Sequence, residues 1–180
     1  MERKSILFID SSDFCRCQLA ESVLSFLLQL RGHLRNYFIS SCVTDMDKEE
    51  NRTSLPAQLL LLHHGIPSVA HETFRLACSD AYDYDFIICP AEEDMIAAGK
   101  VLDSFGRRKL SLLLSYCGRC EDIADLSLAR NFQIAYTQTL GRLQSVGEKA
   151  GRPMDCRITA RRRGHENKAW SWQVVGRRCY

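Results

Sequence analysis

Ile6-Leu7-Phe8-Ile9 is an unbroken apolar run with no polar residue alternating into it. A strand of that kind has to be buried on both faces, which an all-parallel sheet covered by helices provides. The next residues fit such a sheet. Asp10 to Cys17 is polar, and then Leu19, Val23, Phe26, Leu27 and Leu30 recur at helical spacing up to Gly32, placed as a helix C-cap. Strand, polar loop and helix make the opening half of a βαβ unit. Tyr37-Phe38-Ile39 reads as the next strand, Asp45 to Thr53 as a loop, and Leu55 to His64, closed by Gly65, as a second helix.

The alternation continues. Phe86-Ile87-Ile88-Cys89 is a buried strand stopped by Pro90, and Ala91 to Val101 is helical with Met95, Ile96 and Ala98 facing inward. Leu110 to Leu114 is a fourth apolar strand. From Asn131 to Val146 the residues Phe132, Ala135, Tyr136, Thr139, Leu140 and Leu143 trace a last amphipathic stripe. The reading is an α/β fold, a three-layer sandwich around a parallel sheet of about four strands. Composition changes at Gly151-Arg152-Pro153, so residues 1–150 read as one domain and 151–180 as a basic, unstructured tail.

Charge supports that division. The 180 residues carry a net +2, but residues 151–180 hold eight Lys/Arg against two acids, which leaves a mildly acidic domain. No apolar run approaches the roughly 20 residues of a membrane span, and Ile6 to Ile9 is too short for a signal-peptide core. The nine cysteines, spread from Cys15 to Cys179, are odd in number. They suit reduced thiols in a cytoplasmic protein better than a secreted disulfide scaffold.

Ligands of open α/β sheets sit outside the carboxyl ends of the strands. Asp10-Ser11-Ser12-Asp13-Phe14-Cys15-Arg16-Cys17 occupies that place and feeds a helix N-terminus, whose free N–H groups favour an anion. Arg16 adds a planar fork suited to phosphate oxygens. Every βα unit has such a loop, so a plain connection with a solvated arginine fits this pattern as well.

In the same frame, Leu7 to Glu21 resembles the Leu-Phe-Val-Cys-x-Gly-Asn-x-Cys-Arg-Ser-Pro-x-Ala-Glu segment of the low-molecular-weight protein tyrosine phosphatases, a family that includes thiol-dependent arsenate reductases. The resemblance continues in His64-Gly65-Ile66-Pro67, in Asp83 to Cys89 and in Asn131-Phe132, and spans roughly residues 4 to 148. It implies the family's phosphate-binding loop, lined here by Ser11, Ser12, Asp13, Phe14, Cys15 and Cys17 beside Arg16.

The departures fall on the chemistry. Asp10 stands where the family's Cys-x5-Arg motif has its nucleophilic thiolate, which attacks phosphorus and gives a phosphocysteine. A carboxylate can form an acyl phosphate, usually with Mg²⁺ and further acids nearby, and Asp13 is a conceivable second metal ligand. No metal or other cofactor is expected. Opposing unit charges at 4 Å are worth on the order of 4 kcal/mol at an effective dielectric near 20, so an added acid largely cancels Arg16 unless it protonates. Ser12 replaces the loop glycine and Cys17 the serine that stabilises the thiolate. Asp122, in Asp122-Ile123-Ala124-Asp125, matches the family's leaving-group acid without its aromatic neighbours; a turn-capping role is the alternative.

Cys15 and Cys17 lie beside Arg16 near a helix N-terminus, so a lowered thiol pKa is one reading and plain packing the other. Cys117-Gly118-Arg119-Cys120 has the spacing of half a zinc site or of a redox pair, although no second Cys-x2-Cys completes four ligands and chance spacing in a cysteine-rich chain is the plainer reading. The tail carries Arg161-Arg162-Arg163, Arg177-Arg178, Trp170 and Trp172, a composition open to nucleic acid or an acidic surface. The expected function is a pseudophosphatase, a binding or regulatory module for a phosphoprotein or other protein ligand. The alternative is an active tyrosine or acid phosphatase using Asp10 as nucleophile, Arg16 for the phosphoryl oxygens and Asp122 as acid.

Overall fold

The computed structural model describes residues 3–11, 15–30, 32–45, 55–69, 74–117, 122–123, 156–162 and 170–176. Five parallel strands, β1 (Lys4–Asp10), β2 (Tyr37–Val43), β3 (Phe74–Arg75), β4 (Phe86–Cys89) and β5 (Leu110–Leu112), lie in the order β3-β2-β1-β4-β5. The helices are α1 (Cys15–Leu30), α2 (Leu55–His63), α3 (Asp80–Asp83), α4 (Glu92–Val101) and α5 (Ser104–Arg107). No described helix is long and apolar enough to cross a membrane.

β1 is central, flanked by β2 over its whole length and by β4 on the other side. Its apolar run is unbroken because its two faces enter two cores. Ile6 and Phe8 pack with Leu19, Val23 and Leu61 of α1 and α2, whereas Leu7 and Ile9 pack with Met95 and Ala98 of α4. That is the three-layer sandwich expected from the sequence.

The details differ in four places. A fifth strand joins the sheet; with two residues, Phe74 and Arg75, β3 is too short to leave a pattern. The strand read as Leu110 to Leu114 stops at Leu112 and continues as a 3₁₀ turn, Leu113–Cys117, where the Ser115 hydroxyl donates to the Leu112 carbonyl. Leu30, assigned to the buried stripe of α1, is 68% exposed at the helix end. Within the segment read as an unstructured tail, β6 (Cys156–Arg162) and β7 (Trp170–Gly176) pair as antiparallel strands. The helix expected over 131–146 lies outside the described residues.

Gly32 and Gly65 close α1 and α2 as anticipated. Both have positive φ, 71° and 67°, which glycine adopts without a Cβ penalty. His33 N–H donates to the Leu28 carbonyl and Ile66 N–H to that of Leu61, the six-to-one bond of a Schellman ending.

The chain runs from β1 outward to β2 and β3, then returns across the sheet to β4 on the opposite flank. The segments leaving β1 and β4 therefore part from each other, and the crevice between them is where an open α/β sheet binds its ligand.

Candidate functional site

Asp10 is the last residue of β1 and is fully buried. Six residues later Arg16, in the first turn of α1, is only 1% exposed. A buried guanidinium must find acceptors for its fork of donors or the burial is very costly. Its Nη2 lies 3.0 Å from Asp10 Oδ1 and its Nε 3.3 Å from Asp10 Oδ2, a side-on, two-point ion pair. Nη1 donates to the Ile123 carbonyl at 3.1 Å. The loop after β1 thus returns to its own strand through the arginine that the resemblance assigns to phosphate.

A third buried charge comes from α4. Asp94 lies with its Oδ1 3.3 Å and its Oδ2 3.2 Å from Arg16 Nη2. Oδ1 also accepts the Ser11 amide at 2.8 Å, and Oδ2 accepts the Ala91 amide at 3.1 Å. Glu93 approaches Nη2 at 3.5 Å, but its side chain is 65% exposed, so water screens that pair. Burial, and next the charge of Asp10, push the Asp94 carboxyl up to about 7, although Arg16 pulls the other way. Two carboxylates against one guanidinium leave the centre one negative charge in excess unless Asp94 holds a proton.

Sequence reading missed Asp94. The signal was present in position: the acidic first turn Glu92-Glu93-Asp94 follows β4, which borders the crevice. Ala91 stands at the N-cap of α4 and has no side-chain oxygen to cap it. Asp94 therefore reaches back to the Ala91 amide, and Asp122 Oδ1 accepts the Glu92 amide at 2.9 Å.

Asp122 is exposed, and the next residue meets the site from both directions: the Ile123 amide donates to the Pro90 carbonyl while its own carbonyl accepts from Arg16. The structure thus brings Asp10, Ser11 and Arg16 together with the short Asp122–Ile123 segment. Ser12, Asp13 and Phe14 lie outside the described residues, as do the side chains of Cys15 and Cys117.

Of the two readings of Cys17, the structure favours plain packing. Its thiol is fully buried in the core with Phe8, Leu19 and Ile88, and burial, followed by the charges of Asp10 and Asp94, raises its pKa well above the ordinary range. A helix N-terminus and a neighbouring arginine do not lower it, because Arg16 is already committed to the two carboxylates. Cys89 is likewise buried and raised, first by burial and then by Asp94.

No model of a known protein family matches the chain. Individual relatives do. The low molecular weight phosphotyrosine protein phosphatase of Homo sapiens is 25% identical over 152 residues, covering 82% of this chain and 96% of that protein. That of Sus scrofa is 33% identical over 118 residues, covering 63% and 72%. Among solved structures, a protein tyrosine phosphatase from Entamoeba histolytica superposes with a TM-score of 0.74 at 15% identity, covering 82% of this chain and 94% of that one. With the sheet order, the buried arginine after β1 and these relatives in hand, the chain belongs to the low-molecular-weight phosphotyrosine protein phosphatase family.

Proposed function

We propose that this protein is a pseudophosphatase: a member of the family that keeps the scaffold as a cytoplasmic binding or regulatory module and lacks the covalent chemistry. The observation that carries the reading is the two-point pair between Asp10 and Arg16. By the resemblance, Asp10 takes the place of the nucleophilic thiolate and Arg16 holds the phosphoryl oxygens. In this chain the fork of Arg16 is turned onto Asp10, and both are withdrawn from solvent. A substrate phosphoryl group would have to displace one carboxylate while facing another, and the centre has no net positive charge to offer it.

The carboxyl oxygens of Asp10 are also poorly placed as a nucleophile. Both accept hydrogen bonds from a cation, which draws electron density from the atom that would attack. Asp122 sits at the N-terminus of α4 with an oxygen accepting the Glu92 amide, which is the work of a helix cap. On this reading residues 1–150 are the binding domain, and 151–180 are a basic appendage available to an acidic surface or nucleic acid. The partner would be a phosphoprotein or another protein ligand.

The test is hydrolysis of para-nitrophenyl phosphate by the full chain, with and without Mg²⁺. No turnover above buffer is expected in either condition. Turnover abolished by Asp10→Asn and retained in a surface control such as Lys100→Gln would establish the alternative, an active phosphatase with an aspartyl nucleophile.

A further inference from the structure

Asp94 makes contacts that cap formation alone does not require. One oxygen on the Ala91 amide suffices to finish the first turn of α4. Its other oxygen reaches across the crevice to the Ser11 amide at 2.8 Å, and both oxygens lie against Arg16 Nη2. The Ser11 amide is the first N–H of the loop after β1, and Nη2 is the arginine donor shared by Asp10 and Asp94. An oxyanion bound beside Ser11 and Arg16 would compete with Asp94 for those same two donors.

We propose that Asp94, contributed by α4, is an internal competitor for the oxyanion-binding donors Ser11 N–H and Arg16 Nη2, so that these two donors accept an external oxyanion only when the Asp94 carboxylate is removed or neutralised. This rests on reading the loop as a former phosphate seat, and adds what keeps it closed. Asp10 holds one edge of the guanidinium; Asp94 shares Nη2 with it and takes the Ser11 amide.

The competition is proton-linked. Asp94 is faced by Asp10 from β1, by Arg16 and the buried thiol of Cys17 from α1, and by the thiol of Cys89 from β4. Its own helix adds Glu93 beside Nη2, and Asp122 caps the same turn. Both thiols are held protonated and Glu93 is solvated, which leaves Asp10 and Arg16 as the charges that matter. Proton uptake on Asp94 removes the excess negative charge and weakens its hold on Ser11 N–H and Nη2 together.

Sulfate is the suitable probe, because it stays a dianion across the neutral range while phosphate titrates. Calorimetric titration of the full chain should show sulfate affinity rising about tenfold as the pH falls from about 8.5 to about 6. Asp94→Asn should bind sulfate tightly at the upper pH and lose most of that dependence, with Asp94→Ser as a second variant should the first not fold. A wild-type affinity that does not change with pH, or Asp94 variants that fold and bind no more tightly than wild type, would overturn the proposal. Either result in a protein inert toward para-nitrophenyl phosphate removes only this competitor role. Turnover of that substrate by the wild type would instead remove the pseudophosphatase reading itself.

Discussion

The guanidinium of Arg16 and the carboxylate of Asp10 lie edge to edge, Nη2 3.0 Å from Oδ1 and Nε 3.3 Å from Oδ2, and neither is more than 1% exposed. Charges so deep are tolerated only in company. Replacing Arg16 by Met removes the cation and strands two buried carboxylates, so chemical denaturation should show a loss of ~3 to 5 kcal/mol. A loss below ~1 kcal/mol, the usual scale of a surface pair, would mean that the cluster is open to water.

Asp94 gives stability a definite dependence on pH. Its carboxyl is raised from 3.8 to about 7 in the folded chain. Between those values the unfolded chain has released the proton and the folded chain still binds it. This contribution therefore declines as pH rises through that window and is level above about 7. Urea melts at stepped pH should show the decline in wild type and a shallower one in Asp94→Asn. Equal slopes would remove Asp94 as its source.

Asp122 acts on α4 as a cap supplied from elsewhere in the chain, since Ala91 cannot cap. Asp122→Ala should cost about 1 kcal/mol of stability, the usual worth of an N-cap, and Asp122→Asn should recover most of it because an amide oxygen also accepts. Equal losses in both variants would point to charge as the important property of the side chain.

Thiol accessibility separates a packed site from a reactive one. Among the described residues Cys17, Cys42 and Cys89 are buried and Cys78 is exposed. Burial raises the pKa of all three buried thiols above the ordinary thiol value. Mass-spectrometric mapping after brief native alkylation should find Cys78 modified and these three protected. Early labelling of Cys17 would restore the lowered-pKa reading of the loop.

The sheet was legible because β1 and β4 are continuous apolar runs that need cover on both faces, and because Gly32 and Gly65 mark where helices stop. β3 left no trace, being two residues long and held by its register with Cys42 and Val43 rather than by its own pattern. At the site, Asp10 and Arg16 stood out by their place in the loop after β1. Asp94 did not: it lies 78 positions from Arg16, and in sequence it is one acid among three in a helical first turn, the commonest place for a solvated carboxylate. Only the crossing from β3 to β4 brings that turn beside β1. Cys17 was left open between two readings for a related reason. Its neighbours in sequence suggested a stabilised thiolate, whereas its neighbours in space are core side chains and two carboxylates.

Whether Asp10 can accept a phosphoryl group decides between a pseudophosphatase and an enzyme. The direct measurement is intact-mass spectrometry of the metal-stripped full chain, acid-quenched within milliseconds of mixing with para-nitrophenyl phosphate. A single unmodified mass is the expected result, whatever the substrate concentration. A phosphorylated species that appears on mixing, maps to Asp10 and is absent from Asp10→Asn would contradict it.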